Sequence, residues 1–414
     1  MKEKQNETTG LFTVIAFGLV ACVLYGVGAG LRGDIGILLN PLADQCGLRY
    51  EDVSMCIAVM QLVFGATQPL FGIIASRTSN RFVLVMGACF MGLSMAGMML
   101  ARSFIVLMLS LGVLFGCGAG ALAFGLILTS AIHFVGPVRA MTISGMLNAA
   151  AGMGAFILSP VIQALLQAGG LHMTLSILIV PAAALIPVAF LVTSHDPKPD
   201  RRTGNAGAEQ KAEAEPLPFK EAFSNRTYRL LIAGFSTCGF HMVIIESHLF
   251  SQYVSYGIEA GAASWAFSIY GIATIVGALL SGFLSTRIHK GRLLGFYYGF
   301  RAVWVLAYIF LMPKNLITAV IFSTGLGFTG DATVSPTSGL VNENFRIGQV
   351  ATLIGLLFLC HQVGAFFSAW LGGVLLEATG GYEVLWMIDV ALCAFASAVS
   401  LCIRRTGTAE PSGK

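Results

Sequence analysis

The sequence predicts an all-α membrane protein: twelve transmembrane helices in two pseudo-symmetric six-helix bundles, with both termini in the cytoplasm. Three observations predict it. Of the 414 residues, 56% are hydrophobic and only 11% are charged. Soluble domains carry about 25% charged residues, so a chain this size has too few charges to cover a water-exposed surface. Apolar runs of spanning length, about 20 residues, recur along the chain. One long polar interval, Ser194 to Arg229, divides those runs six and six.

The first run follows MKEKQNETTG and extends from Leu11 to Leu31. It is too long for the apolar core of a secretory signal and about right for a span, so it reads as a retained helix over 11–40. The remaining spans fall at 52–75, 82–101, 104–134, 141–167, 172–194, 228–256, 262–285, 292–312, 316–338, 347–376 and 382–403. Helices are required because lipid cannot satisfy backbone polar groups, and the runs are too long for barrel strands. The division is an N-terminal bundle over 1–194, a cytoplasmic linker over 195–227, a C-terminal bundle over 228–405 and a tail over 406–414. The linker is rich in Pro, Ala, Glu and Lys, a flexible composition, with a short surface helix expected near Phe219–Phe223.

Basic residues set the orientation. With the N-terminus inside, the inner regions hold nineteen of the 24 Lys and Arg, the outer loops hold only Arg49, Arg102 and Lys314, and Arg32 and Arg301 lie within spans. An internal repeat supports the division into halves. LNPLADQCGL (39–48) aligns without gaps to LFSQYVSYGI (249–258), and the match continues until GIIASR (72–77) meets GFLSTR (282–287), at a constant offset of 210. Duplicated six-helix halves hold a substrate between them near the midplane in known transporters.

Other classes find little support. A net charge of +4, dispersed along the chain, does not imply nucleic acid. The nine cysteines lie mostly in apolar runs without a CxxC pair, as small buried hydrophobes do. There is no HExxH, GxSxG or P-loop, so neither an enzyme nor a bound cofactor or metal is expected. The glycines of FGCGAGALAFG lie inside a span, where they serve close helix packing.

GIIASRTSNR and GFLSTRIHKGR resemble the loops between the second and third, and the eighth and ninth, helices of the major facilitator superfamily. Ser76 and Thr286 stand where that pattern has an acid, and the superfamily's fourth-helix arginine is absent from LGVLFGCGAGALAFG. Four stretches carry a closer resemblance to bacterial members of the monocarboxylate transporter and oxalate–formate antiporter group: GLRGDIGILLNPLADQCGLRYEDVS, CGFHMVIIESHL, PTSGLVNENF and LCHQVGAFFSAWLGGVLLEATGGYEVLW. The resemblance implies a monomeric secondary transporter in the inner membrane. Its substrate would be a small organic anion, a mono- or dicarboxylate, moved by proton symport or anion exchange. That group often has a binding cation in the eighth or eleventh helix. Here the eighth has none, and the eleventh offers His361 and Gln362.

Ionisable residues within spans cost about 2.5–3.5 kcal/mol each on insertion scales and usually face protein or a wet cavity. Arg32 shares a helical face with Tyr25, Gly28 and Gly36. Its guanidinium would fork onto a substrate carboxylate or form a structural ion pair with a neighbouring helix. Asp34 points elsewhere, toward an interhelical polar contact or a proton-coupling role. The offset maps Gly36 onto Glu246, the best candidate for a carboxylate that takes up a proton. Thr237, His241, His248 and Gln252 form a second polar stripe on the same span, and the sequence leaves open which face lines the cavity. Arg301 and Asp331 fall at similar depth and read as a buried ion pair, with Asp331 as a coupling acid the alternative. Further cavity candidates are His361, Gln362, Asn148, Gln61 and Gln68; Asp389 has no assigned partner. An exporter of cationic or amphipathic compounds by proton antiport, drawing on Asp34, Glu246 and Asp331, is the competing reading.

Overall fold

The structure is a computed structural model that describes residues 11–136, 139–196 and 219–403. Most of the expected linker and the tail over 406–414 lie outside the described residues. The helices are α1 (Leu11–Gly33), α2 (Tyr50–Arg77), α3 (Asn80–Leu100), α4 (Phe104–Val135), α5 and α6 (together Ala140–Val192), α7 (Arg226–Ser255), α8 (Ala260–Ser285), α9 (Lys290–Leu311), α10 (Leu316–Asn344), α11 (Ile347–Thr379) and α12 (Glu383–Leu401). A short helix, Phe219–Ser224, precedes α7. The chain is nearly all helical because each apolar run must satisfy its own backbone in lipid.

Side chains cap the helix starts. Ser79 Oγ accepts the Phe82 amide at α3, Asn225 the Tyr228 amide at α7, and Asn315 the Thr318 amide at α10. The turns repeat between halves. Gly170 separates α5 from α6 with φ 69°, and Gly380 separates α11 from α12 with φ 74°, a backbone that favours glycine. These two stand 210 positions apart.

Packing follows the same offset. Within the N-terminal bundle α1 lies on α5, α2 on α4 and α3 on α6; α7 lies on α11, α8 on α10 and α9 on α12 in the other. Between bundles α2 meets α11 and α5 meets α8. Even the irregularities correspond. After α1 the backbone tightens into a 3-10 turn at Ile35–Leu38, while α7 widens into a π-turn at Ile245–Leu249. Helix α4 is interrupted between Ala121 and Phe124, and α10 at Asp331–Thr333. Broken helices at matching positions of two repeats are where transporters place their binding sites.

Among the described residues, every hydrogen bond and ion pair between the bundles lies from the midplane outward. Asn40 donates to Ser251 at 3.3 Å, Gln167 to Glu259 at 2.8 Å, and Arg49 Nη1 lies 3.6 Å from Glu377. Ser159 donates to the Ser264 carbonyl at 3.0 Å. By the basic-residue distribution these contacts face away from the cytoplasm. The bundles are therefore joined on the outer side; Tyr25, Arg32 and Asp331 stay partly exposed, and the space they border is the chamber.

Candidate functional site

The roof of the chamber is the crossing of α1 and α7. A Cβ on Gly36 would lie 2.4 Å from the Glu246 carbonyl oxygen and 2.6 Å from that of Ser247. The two backbones touch, and glycine permits it. One turn inward of this seal Arg32 leaves α1, its side chain directed back toward the cytoplasm as helix geometry requires.

Arg32 Nη1 donates to Glu246 Oε2 at 2.8 Å and Nη2 to Oε1 at 3.1 Å, a two-pronged ion pair between the bundles. Gln61 of α2 completes a triangle. Its Oε1 accepts from Arg32 at 3.1 Å, and its Nε2 donates to Glu246 at 3.0 Å. The guanidinium also lies over the Phe64 ring, 4.9 Å from its centre. The Arg32 side chain remains 20% exposed despite these partners. The two alternatives read from the sequence meet here: the cation is paired, and it still borders the chamber.

Asp34 is fully buried at the α1 break, and neither carboxylate oxygen has a hydrogen-bond partner among the described residues. Tyr25, two turns inward of Arg32, packs edge-on against Phe124 and is close enough to Arg32, Glu246 and Asp331 to interact electrostatically. His361 Nδ1 lies 3.2 Å from Gln362 Oε1, and Gln362 rests on Gly65 where α2 meets α11. Asn148 is exposed one turn inward of Gly152, which packs on Gly271 at the α5–α8 crossing.

The structure corrects one expected ion pair and places two histidines whose orientation the sequence left open. Arg301 does not pair with Asp331. The α10 break frees backbone carbonyls, and the buried guanidinium donates to those of Thr329 and Gly330, the latter at 2.7 Å, and to Cys238 Sγ at 3.3 Å. Asp331, half-buried, makes no hydrogen bond or ion pair among the described residues and lies within electrostatic reach of Glu246, His361 and Arg32. His241 does not reach the chamber. It is fully buried, and its Nδ1 lies 2.8 Å from Asp389 of α12, giving that acid the partner the sequence did not reveal. His248 is likewise outside the chamber, in the outer closure. Its Nε2 donates to the Ala369 carbonyl at 3.1 Å, so its Nδ1 accepts from the Tyr50 hydroxyl at 2.9 Å. Of the same stripe, His241 and Gln252 turn into their own bundle, where Gln252 accepts from Trp386 at 2.8 Å.

Sequence reasoning missed Phe64, Tyr50 and Tyr270. Tyr270 of α8 is 8% exposed and directs its hydroxyl to Met242 Sδ at 3.1 Å. A single aromatic residue in an apolar span gives no periodic signal that would single it out.

Two repeated bundles meeting at broken helices around a charged centre, closed on one side, define a multi-pass membrane transporter. The chain belongs to the Major Facilitator Superfamily, whose family model matches residues 16–256 and 249–414. It is 23% identical over 403 residues to the uncharacterized MFS-type transporter YcxA of Bacillus subtilis (strain 168), covering 93% of this chain and 94% of that protein. It is 25% identical over 385 residues to monocarboxylate transporter 12 of Rattus norvegicus, covering 84% and 75%. Two crystal structures share the fold. A D-xylose-proton symporter matches with TM-score 0.71 at 13% identity, covering 94% of this chain and 97% of that one. A bacterial homologue of the human lysosomal transporter Spinster, inward-facing and unoccupied, matches with TM-score 0.73 at 15% identity, covering 94% and 96%.

Proposed function

We propose that the protein carries a small organic anion, a mono- or dicarboxylate, across a bacterial inner membrane by alternating access, as a monomer. The observation that supports this reading best is the fork of Arg32 on Glu246. Here an internal carboxylate takes the geometry that a substrate carboxylate would take. An entering anion displaces Glu246, which then accepts a proton rather than remain an unpaired charge beside the bound substrate. The α1–α7 crossing then holds a neutral acid and a satisfied guanidinium, with Asp331 the remaining charge in the chamber. Proton symport follows if Glu246 releases that proton on the opposite side. Anion exchange follows if a second anion must replace the first before Glu246 returns.

Likeness to a protein named monocarboxylate transporter 12 supports the same substrate class. The test is uptake into proteoliposomes. Arg32→Ala should abolish carboxylate transport. Arg32→Lys should weaken it on the order of tenfold, since a lysine cannot supply two parallel donors. Unchanged affinity in both variants for every carboxylate carried would refute the assignment. Competition by lipophilic cations in place of anions would support the exporter reading.

A further inference from the structure

Asp331 is the charge in the chamber that the anion reading leaves unexplained. It does not pair with Arg301, whose Nη2 donates to the carbonyls of Thr329 and Gly330 at the same break. Asp331 is half-buried and makes no hydrogen bond or ion pair among the described residues. A partly exposed carboxylate with no protein partner relies on water for its solvation. Once a substrate fills the space and expels water, that carboxylate needs a donor or a cation, or it opposes binding.

Its surroundings fit one kind of group. Tyr270 is near: its hydroxyl oxygen lies 3.0 Å from where a Cβ on the adjacent Gly330 would stand. Tyr25, from the opposite bundle, is within electrostatic reach of Asp331 as well. A carboxylate with tyrosines near it can hold an alkylammonium group through a charge-assisted hydrogen bond and a ring face. Arg32 lies across the same chamber and already has one acid, Glu246, competing for it. A second carboxylate on the substrate would face Asp331, near which His361, bonded to Gln362, is the other group able to carry positive charge besides Arg32.

Resting on the reading of Arg32 above, we infer that the substrate is an amino-bearing monocarboxylate, its carboxylate on Arg32 and its ammonium on Asp331 near Tyr25 and Tyr270. A dicarboxylate is disfavoured.

The experiment measures ligand-induced thermal shifts, then uptake, with the purified full-length protein. The probes are matched sets sharing a carbon skeleton: butyrate, 4-aminobutyrate and succinate, then propionate, alanine, 3-aminopropionate and malonate. In the wild type an amino-bearing member should bind on the order of tenfold more tightly than its plain acid, the worth of one charged hydrogen bond, and the diacid should bind most weakly. Asp331→Asn should collapse the preference for the amino group to about twofold or less. Asp331→Ala provides a second variant should the amide rearrange locally. Equal binding of plain and amino-bearing acids by the wild type, a preference for the diacid, no binding of any amino-bearing probe, or a preference that survives both substitutions overturns the inference. The failures are separable. Arg32→Gln that leaves every probe bound refutes the anion reading itself, whereas loss of all carboxylates on Arg32→Gln with indifference to Asp331 refutes only the amino-bearing substrate.

Discussion

Gly36 and Glu246 stand 210 positions apart in the sequence and touch in the structure, the position of a Gly36 Cβ lying 2.4 Å from the Glu246 carbonyl oxygen. Because 210 is also the offset between the two halves, the contact joins equivalent positions and marks the pseudo-two-fold axis. Other contacts come in pairs around it. Arg49 faces Glu377 on one side; Glu259 and Gln167, each 210 positions from one of them, bond to each other on the other side. Gly65 against Gln362 is matched in the same way by Ile275 against Gly152. The outer closure is thus built twice from one design, with Arg32 and Glu246 just beneath its centre.

Gly36→Ala should hold the outer face open. The added Cβ would meet two backbone carbonyls, which cannot move aside as a flexible side chain would. Spin labels at Asp44 and Glu383, exposed on opposite bundles, should report a longer distance in the variant. An unchanged distance distribution would count against the seal.

Glu246→Gln should separate binding from coupling. Removing the internal competitor should tighten binding of a substrate carboxylate, by about tenfold if one charged contact is at stake. A pH gradient should then no longer drive accumulation, because an amide carries no proton. Flux assays with and without an imposed gradient test both parts, and weaker binding with coupling intact would contradict the exchange of partners at Arg32.

His241→Ala should destabilise the protein without altering substrate affinity. The fully buried Asp389 would lose its partner at 2.8 Å, at a cost on the order of 1–3 kcal/mol. At about 2–4 °C per kcal/mol for a bundle of roughly 200 residues, thermal unfolding should show a clear drop in Tm. A changed KM with unchanged Tm would return His241 to the substrate site.

Glu259 supplies a pH test outside the spans. Its carboxylate accepts the amides of Gly261 and Ala262 at the start of α8, both at 2.9 Å, and these bonds hold its pKa below the ordinary glutamate value. A depressed folded-state pKa gives stability that is present above the unfolded value and lost as pH falls through the folded one. Wild type should therefore exceed Glu259→Gln in Tm at neutral pH, and the difference should vanish as the pH drops below the ordinary glutamate range. A difference that persists in acid would show that the carboxylate charge is not what caps the helix.

The spans were legible because each depends on its own local composition, and Gly170 makes the turn expected between 167 and 172. Site partnerships were not legible in the same way. The repeat brought Gly36 and Glu246 into register but could not say that Arg32 reaches across to Glu246. The depth argument put Arg301 and Asp331 at one level, yet the break in α10 offered the guanidinium carbonyls instead of the acid. The stripe of His241 and His248 has helical spacing that fits either face of α7, so periodicity had no means to choose between them.

Taken alone, the sequence determined twelve spans, their orientation and their duplication, because bilayer thickness, backbone hydrogen bonding and charge asymmetry act on short stretches one at a time. The tertiary structure decided which polar face lines the chamber and which acid each cation meets. Those choices turn on helix rotation and on breaks of a few residues, and they are fixed only when neighbouring helices pack against one another.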